Sequence, residues 1–164
     1  AEARFGVVDT VVANAGISAE GRSTNVAVAD VAGLVATNFT GVYITAREGA
    51  KRMIAAGFKD SERGRIVLIG SITAELTAQG DAAYAASKAA LTAFADALRE
   101  EERGSVRVCS VYPGRVDTDM QVDLQARRGR AYDPGEHLRA ASVAATVRLA
   151  VDASREAMIE SIRP

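Results

Sequence analysis

Val7-Val8-Asp9-Thr10-Val11-Val12-Ala13 is a β-branched, nearly continuous apolar stretch that stops at Asn14-Ala15-Gly16. A strand covered by helices on both faces reads this way, because neither face has to alternate polar with apolar side chains. Beyond it, Val31, Leu34, Val35, Val42, Ala46, Ala50, Met53 and Ile54 recur at helical spacing. That pattern predicts one long helix or two joined ones from about Val28 to Ala56, with Gly57 as the stop. Arg65-Ile66-Val67-Leu68-Ile69-Gly70 predicts a second short buried strand, and Asp81 is a good N-cap for a helix running to about Arg103. Val106-Arg107-Val108-Cys109-Ser110-Val111-Tyr112 reads as a third strand ended by Pro113-Gly114. Residues 119–137 carry Arg127, Arg128, Arg130, Asp133 and Pro134 with little apolar periodicity, so a mobile segment with a short helix at most is expected there. A helix over Ala140–Val151 and a last short strand over Ala157–Ile162 complete the order.

Strands alternating with helices imply right-handed crossovers and an α/β fold, a doubly wound parallel sheet in three layers. No repeat or linker divides the 164 residues, so residues 1–164 are expected to form a single domain. In such sheets ligands bind outside the carboxyl ends of the strands. Here those ends are Asn14-Ala15-Gly16, Gly70-Ser71 and Pro113-Gly114.

Composition narrows the function. Lys and Arg total 20 against 21 Asp and Glu, a net charge of -1, so no global field draws the chain to nucleic acid or an anionic membrane. One cysteine, Cys109, and one histidine, His137, exclude an internal disulfide and any paired-His or multi-Cys metal site, so no metal is expected. No apolar run approaches the ~18 residues of a membrane span, and Glu2, Arg4 and Asp9 interrupt any signal-peptide core, so a cytoplasmic protein with a small-molecule partner is expected.

The chemistry concentrates at the strand ends. Tyr84-Ala85-Ala86-Ser87-Lys88 sets a phenol and an ammonium four residues apart, on one helix face and in its first two turns. A free Tyr has a pKa of about 10, but a neighbouring cation and a helix N-terminus both favour the phenolate, as a general acid and base requires. A packed tyrosine beside a solvated lysine meets the same spacing. Ser71 follows a buried strand, where its hydroxyl could reach a substrate oxygen or merely satisfy its own turn. Asn38 and Gly41 are poor choices for the middle of a helix, unless something needs them there or the helix breaks.

Asn14-Ala15-Gly16, Asn38, Ser71, Tyr84-x-x-x-Lys88 and Pro113-Gly114-x-Val116-x-Thr118, in this order and spacing, resemble the short-chain dehydrogenase/reductase superfamily over essentially the whole chain. The resemblance implies a Rossmann-type fold and hydride transfer between NAD or NADP and a carbonyl or secondary alcohol, on the pattern of a 3-oxoacyl reductase. It implies Tyr84 as acid/base on the substrate oxygen. Lys88 would lower the pKa of Tyr84 and bind the nicotinamide ribose, and Ser71 would polarise the substrate oxygen. Asn38 would hold a water in a proton relay from Lys88 to solvent. By the same resemblance Asn14, Ala15 and Gly16 border the adenosine ribose. Pro113, Gly114, Val116 and Thr118 border the nicotinamide and its carboxamide, and the long helices pair subunits into a homodimer or homotetramer. Arg127, Arg128 and Arg130 fall where the family has its substrate loop; they are open to contact with an anionic substrate or to simple solvation.

The chain departs from the family in one large respect. The family's opening strand, glycine-rich turn and helix, which receive the cofactor pyrophosphate, have no counterpart here. Nor does the residue that separates NAD from NADP. The first strand therefore corresponds to the family's fourth, and the sequence is expected to be part of a longer protein with Val7–Ala13 as an exposed apolar edge. A non-catalytic fragment or subunit, unable to bind cofactor alone, is the alternative reading.

Overall fold

Each of the three apolar stretches becomes a strand, and each strand lies beside the next in chain order. The computed structural model describes residues 2–57, 64–154 and 156–164. In it β1 (Thr10–Ala13), β2 (Arg65–Ile69), β3 (Arg107–Val111) and β4 (Ser161–Ile162) form one parallel sheet in the order β1-β2-β3-β4. Thr10 stands opposite Arg65, Ile66 opposite Val108, and Ser110 opposite Ser161. All neighbours are parallel, so every connection carries helix: α2 (Val28–Leu34) and α3 (Val42–Ala55), then α4 (Ala82–Glu101), then α5 (Asp119–Arg127) and α6 (Ala140–Asp152). A short α1 (Glu2–Phe5), which the sequence pattern did not predict, precedes β1.

The sheet is covered on both faces. Alternate strand residues point to opposite sides. Ile66, Leu68 and Val108 pack with Ala46, Ala50 and Met53 of α3 and with Leu91 and Leu98 of α4. Val67, Cys109 and Val111 pack with Val143 and Val147 of α6. Burying a side chain such as Leu68 or Leu91 is worth roughly 1.5–3 kcal/mol, so these faces supply most of the drive to fold. Gly49 lets α3 settle on β1, because a Cβ there would stand 2.7 Å from the Val11 side chain.

Several expectations are corrected in detail. β1 spans only Thr10–Ala13, because its single partner β2 begins at Arg65, opposite Thr10. It forms one edge of the described sheet, with Val12 exposed. The helix expected over 28–56 is one continuous run, yet its middle, Val35–Gly41, is a π-helix. Asn38 and Gly41 lie in that wider turn, the kind of distortion that often marks a functional position. Asp81 precedes α4 as expected, but its side chain caps nothing. Residues 119–137, expected to hold a short helix at most, hold the nine-residue α5 and a 3-10 turn over Pro134–Glu136, in keeping with that expectation. By length and composition alone Val28–Ala55 could cross a bilayer, contrary to the expectation that no such segment exists. In this fold it is a surface helix, with Ala46, Ala50 and Met53 on the core and Arg47, Lys51 and Arg52 exposed. Gly57 ends the run with φ +77°, the left-handed turn expected of it.

Candidate active site

The carboxyl ends of β1, β2 and β3 open into a cleft of about 1060 Å³. Asn14, Ala15, Gly16, Ser71, Tyr84, Lys88, Pro113, Gly114, Val116 and Thr118 all line it. Asn38 does not; it lies fully buried behind the cleft wall.

Three elements carry the reactive groups. Ser71 closes β2 and starts a 3-10 turn over Ile72–Ala74, its Oγ accepting from the Thr73 N–H at 3.2 Å. The local role of a turn serine is therefore real, and its hydroxyl also lies where it favours ionisation of the Tyr84 phenol. Tyr84 sits in the first turn of α4, and Lys88 one turn on places Nζ 5.9 Å from the Tyr84 ring centre. Lys88 is 4% exposed and donates to the Ile69 carbonyl at 2.9 Å, which fixes its ammonium at the end of β2.

Burial sets the proton chemistry. Desolvation raises the Tyr84 phenol above its ordinary range; the Asp81 charge adds to this, while the hydrogen bond with Ser71 opposes it. The expected lowering by Lys88 is not what this arrangement gives. The ammonium is itself desolvated, and its pKa falls to about 8. Tyr84 thus stays protonated at neutral pH, the form that donates to an oxygen gaining negative charge.

Asn38 supports this wall from behind. Its Oδ1 accepts from the Ile17 N–H at 2.8 Å, and its Nδ2 donates to the Ile17 carbonyl at 2.9 Å and to Ser87 Oγ at 3.1 Å. The side chain is fully used in holding the strand-end loop against α4. Gly16 lies between the two: a Cβ there would stand 3.5 Å from Asn38 Oδ1 and 3.6 Å from Lys88 Nζ.

The opposite wall comes from α5 and α6, through Met120, Leu124, Val143 and Val147. Of the three arginines left open to substrate contact or to solvation, Arg127 and Arg130 are exposed and Arg128 is engaged by carboxylates. Ile17, Ser87 and Glu20 are the residues that sequence reasoning missed. Ser87 was open to detection, since it lies three residues after Tyr84 on the same helix. Glu20 and Ile17 carry no local signal.

A parallel α/β/α sheet with a phenol, a hydroxyl and an ammonium meeting at the strand ends defines a Rossmann-type protein with its cleft where this fold binds ligands. The model of the short chain dehydrogenase family matches residues 1–129. The chain belongs to that family. It is 34% identical over 125 residues to a 3-oxoacyl-(acyl-carrier-protein) reductase of Homo sapiens, covering 76% of this chain and 51% of that protein. It is 38% identical over 119 residues to an uncharacterized NAD-dependent oxidoreductase of Mycobacterium tuberculosis, covering 71% and 42%. A crystal structure of an actinorhodin polyketide ketoreductase variant with NADPH superposes on 99% of this chain and 67% of its own, at TM-score 0.85 and 25% identity. The chain spans about half the length of the curated relatives it matches.

Proposed function

We propose that this chain is the catalytic part of an NAD(P)-dependent oxidoreductase that moves a hydride between a nicotinamide nucleotide and a carbonyl or secondary-alcohol substrate. The reading rests above all on the meeting of Ser71, Tyr84 and Lys88 at the carboxyl ends of the strands. The likeness to a 3-oxoacyl-(acyl-carrier-protein) reductase and a polyketide ketoreductase supports 3-oxoacyl compounds as the first substrate class to try. An NAD-dependent relative and an NADPH-bound structure support either nucleotide as cofactor.

The residues present fit the nicotinamide-ribose half of such a cofactor. At Gly16 the missing side chain leaves open the space in front of Lys88 Nζ. Lys88 and Tyr84 would hold the ribose, Asn14 to Gly16 the adenosine ribose, and Pro113, Gly114, Val116 and Thr118 the nicotinamide and its carboxamide. When bound, the cofactor supplies or accepts the hydride.

The chain's own groups handle the proton and the developing charge. In reduction Tyr84 gives its phenolic proton to the substrate oxygen, and in oxidation the phenolate takes it back. Ser71 hydrogen-bonds the same oxygen and stabilises its negative charge in a preorganised setting. Because the Lys88 pKa, about 8, lies below that of the desolvated Tyr84 phenol, return of a proton from Lys88 toward Tyr84 is downhill. Asn38 serves the relay as a positioning residue, holding Gly16 and Ile17 beside Lys88. Exposed Tyr43, Ile44 and Ile54 on α3 support pairing of subunits.

Consumption of NADH and NADPH by the full-length protein on a panel of 3-oxoacyl thioesters and simple ketones tests the reading. Turnover with at least one pair is expected, and Tyr84→Phe should abolish it; undiminished turnover by that variant would refute the assignment.

A further inference from the structure

Three charged side chains stand at the mouth of the cleft and take no step in the reaction above, although Asp81 acts on the Tyr84 phenol through its charge: Glu20 in the loop after β1, Asp81 ahead of α4, and Arg128 at the end of α5. They lie far apart in sequence. A backbone bond from the Gly21 N–H to the Gly80 carbonyl, 3.0 Å, joins the first two loops and brings Glu20 and Asp81 to one place. Their side chains are only 13% and 18% exposed, so both charges are partly dehydrated. Two carboxylates in that condition repel unless a cation lies between them. Arg128 is that cation: its guanidinium pairs with Glu20 and donates to Asp81 Oδ1 at 2.9 Å. A planar fork with several donors suits this bridge, and a lysine would not span it in the same way.

We propose that Arg128 is a positioning residue for Tyr84: by bridging Glu20 and Asp81 it fastens the α5 wall across the substrate end of the cleft and balances the carboxylate one turn ahead of Tyr84. The inference rests on the Tyr84 reading above. Arg128 follows directly on the helix whose Met120 and Leu124 line the cleft, so the bridge sets how closely those side chains approach a substrate. It also sets the charge around the phenol. The charged groups at this site are Lys88 on α4 and Asp81 just ahead of it, Glu20 and Arg128 across the mouth, and Arg115 after β3. Arg115 is half-exposed and lies 4.0 Å from Glu136; in the Ser71–Ala78 segment the residues that line the cleft are uncharged and Glu75, off the cleft, pairs with Arg163. Asp81 opposes ionisation of Tyr84, and without Arg128 that opposition is unbalanced.

Absorbance titration of tyrosine in the full-length protein, wild type minus Tyr84→Phe, reads the ionisation of Tyr84 without any ligand. With Arg128→Met in both members of the pair, the midpoint should rise by about one pH unit. Adding Asp81→Asn should bring it back, which a purely structural role for Arg128 would not do. With acetoacetyl-coenzyme A and NADPH as probe, Arg128→Met should raise KM about tenfold and leave kcat at its own optimum within about threefold. Glu20→Gln, which keeps the Asp81 pair, should raise KM and leave the midpoint in place, and Arg128→Lys should fall between. These two variants carry the test if Arg128→Met does not fold. An unmoved midpoint in Arg128→Met or Arg128→Lys, or a shift that Asp81→Asn does not reverse, overturns the proposal. Full turnover by Tyr84→Phe would instead sink the assigned reaction, while the titration still judges Arg128.

Discussion

The two walls of the cleft are built on different principles. On the α4 wall Asn38, Ser71 and Lys88 are 0%, 8% and 4% exposed, and each has a hydrogen-bond partner within the chain. On the α5 wall Gln125 alone is buried, and the helix is tied across the mouth by Arg128. A wall in which Asn38, Ser71 and Lys88 are buried and paired cannot shift without leaving one of them unsatisfied, which is what preorganised proton chemistry needs. A wall tied by a single ion-paired bridge at the mouth, with most of its helix exposed, can give way to substrates of different shape more readily. Changes on the α4 wall should therefore register in kcat, and changes on the α5 wall in KM.

The largest separation is expected from Lys88→Met. Its turnover should fall by about 10²–10³, while its folded state becomes more stable at pH 7, because burial has driven the Lys88 pKa from 10.5 to about 8. The unfolded wild-type chain holds this proton between about pH 8 and 10.5 where the folded chain has released it, so wild-type stability rises with pH across that window. The fall from 10.5 to about 8 corresponds to about 3 kcal/mol, and the variant should show neither the cost at pH 7 nor the rise. Thermal unfolding at pH 7 and pH 10 checks this; a variant less stable at both would mean that the hydrogen bond to Ile69 outweighs the buried charge.

Ser71→Ala comes next, with kcat down by about 10² and KM little changed, as for loss of one donor to a developing oxyanion. A rise confined to KM would move Ser71 to the substrate-binding side of the comparison. Asn38→Ala should act through structure. It strips both backbone partners from Ile17 and should cost about 2–3 kcal/mol in chemical denaturation, with kcat falling in step. The smallest effect belongs to the α5 wall: Met120→Ala should change KM for a 3-oxoacyl thioester by about tenfold or less and kcat hardly at all. A drop in kcat as large as that of Ser71→Ala would erase the distinction between the walls.

Legibility in sequence follows the same division. Strands read well where both faces are buried, as in Ile66-Val67-Leu68, because uninterrupted apolarity there has one simple cause. Tyr84 and Lys88 were legible because their partnership is local to one helix. β1 was read too long because its length depends on where β2 begins to pair, which no local pattern encodes. The state of the phenol was misread for a related reason: spacing reveals the neighbouring cation, but only the fold reveals how much water both groups have lost. Arg128 was legible as a charge near the substrate segment and illegible as a bridge, since Glu20 and Asp81 reach it only through the folded loops.

Tyr84 as the proton-transfer group is the centre of this account, and kcat for alcohol oxidation as a function of pH, in the full-length protein and in Tyr84→Phe, tests it most directly. The wild type should gain activity as pH rises, because the buried phenol must lose its proton to act as base. Tyr84→Phe should lie about 10³ lower with that dependence gone. A Tyr84→Phe variant within tenfold of wild type, with the same rise in activity with pH, would contradict it.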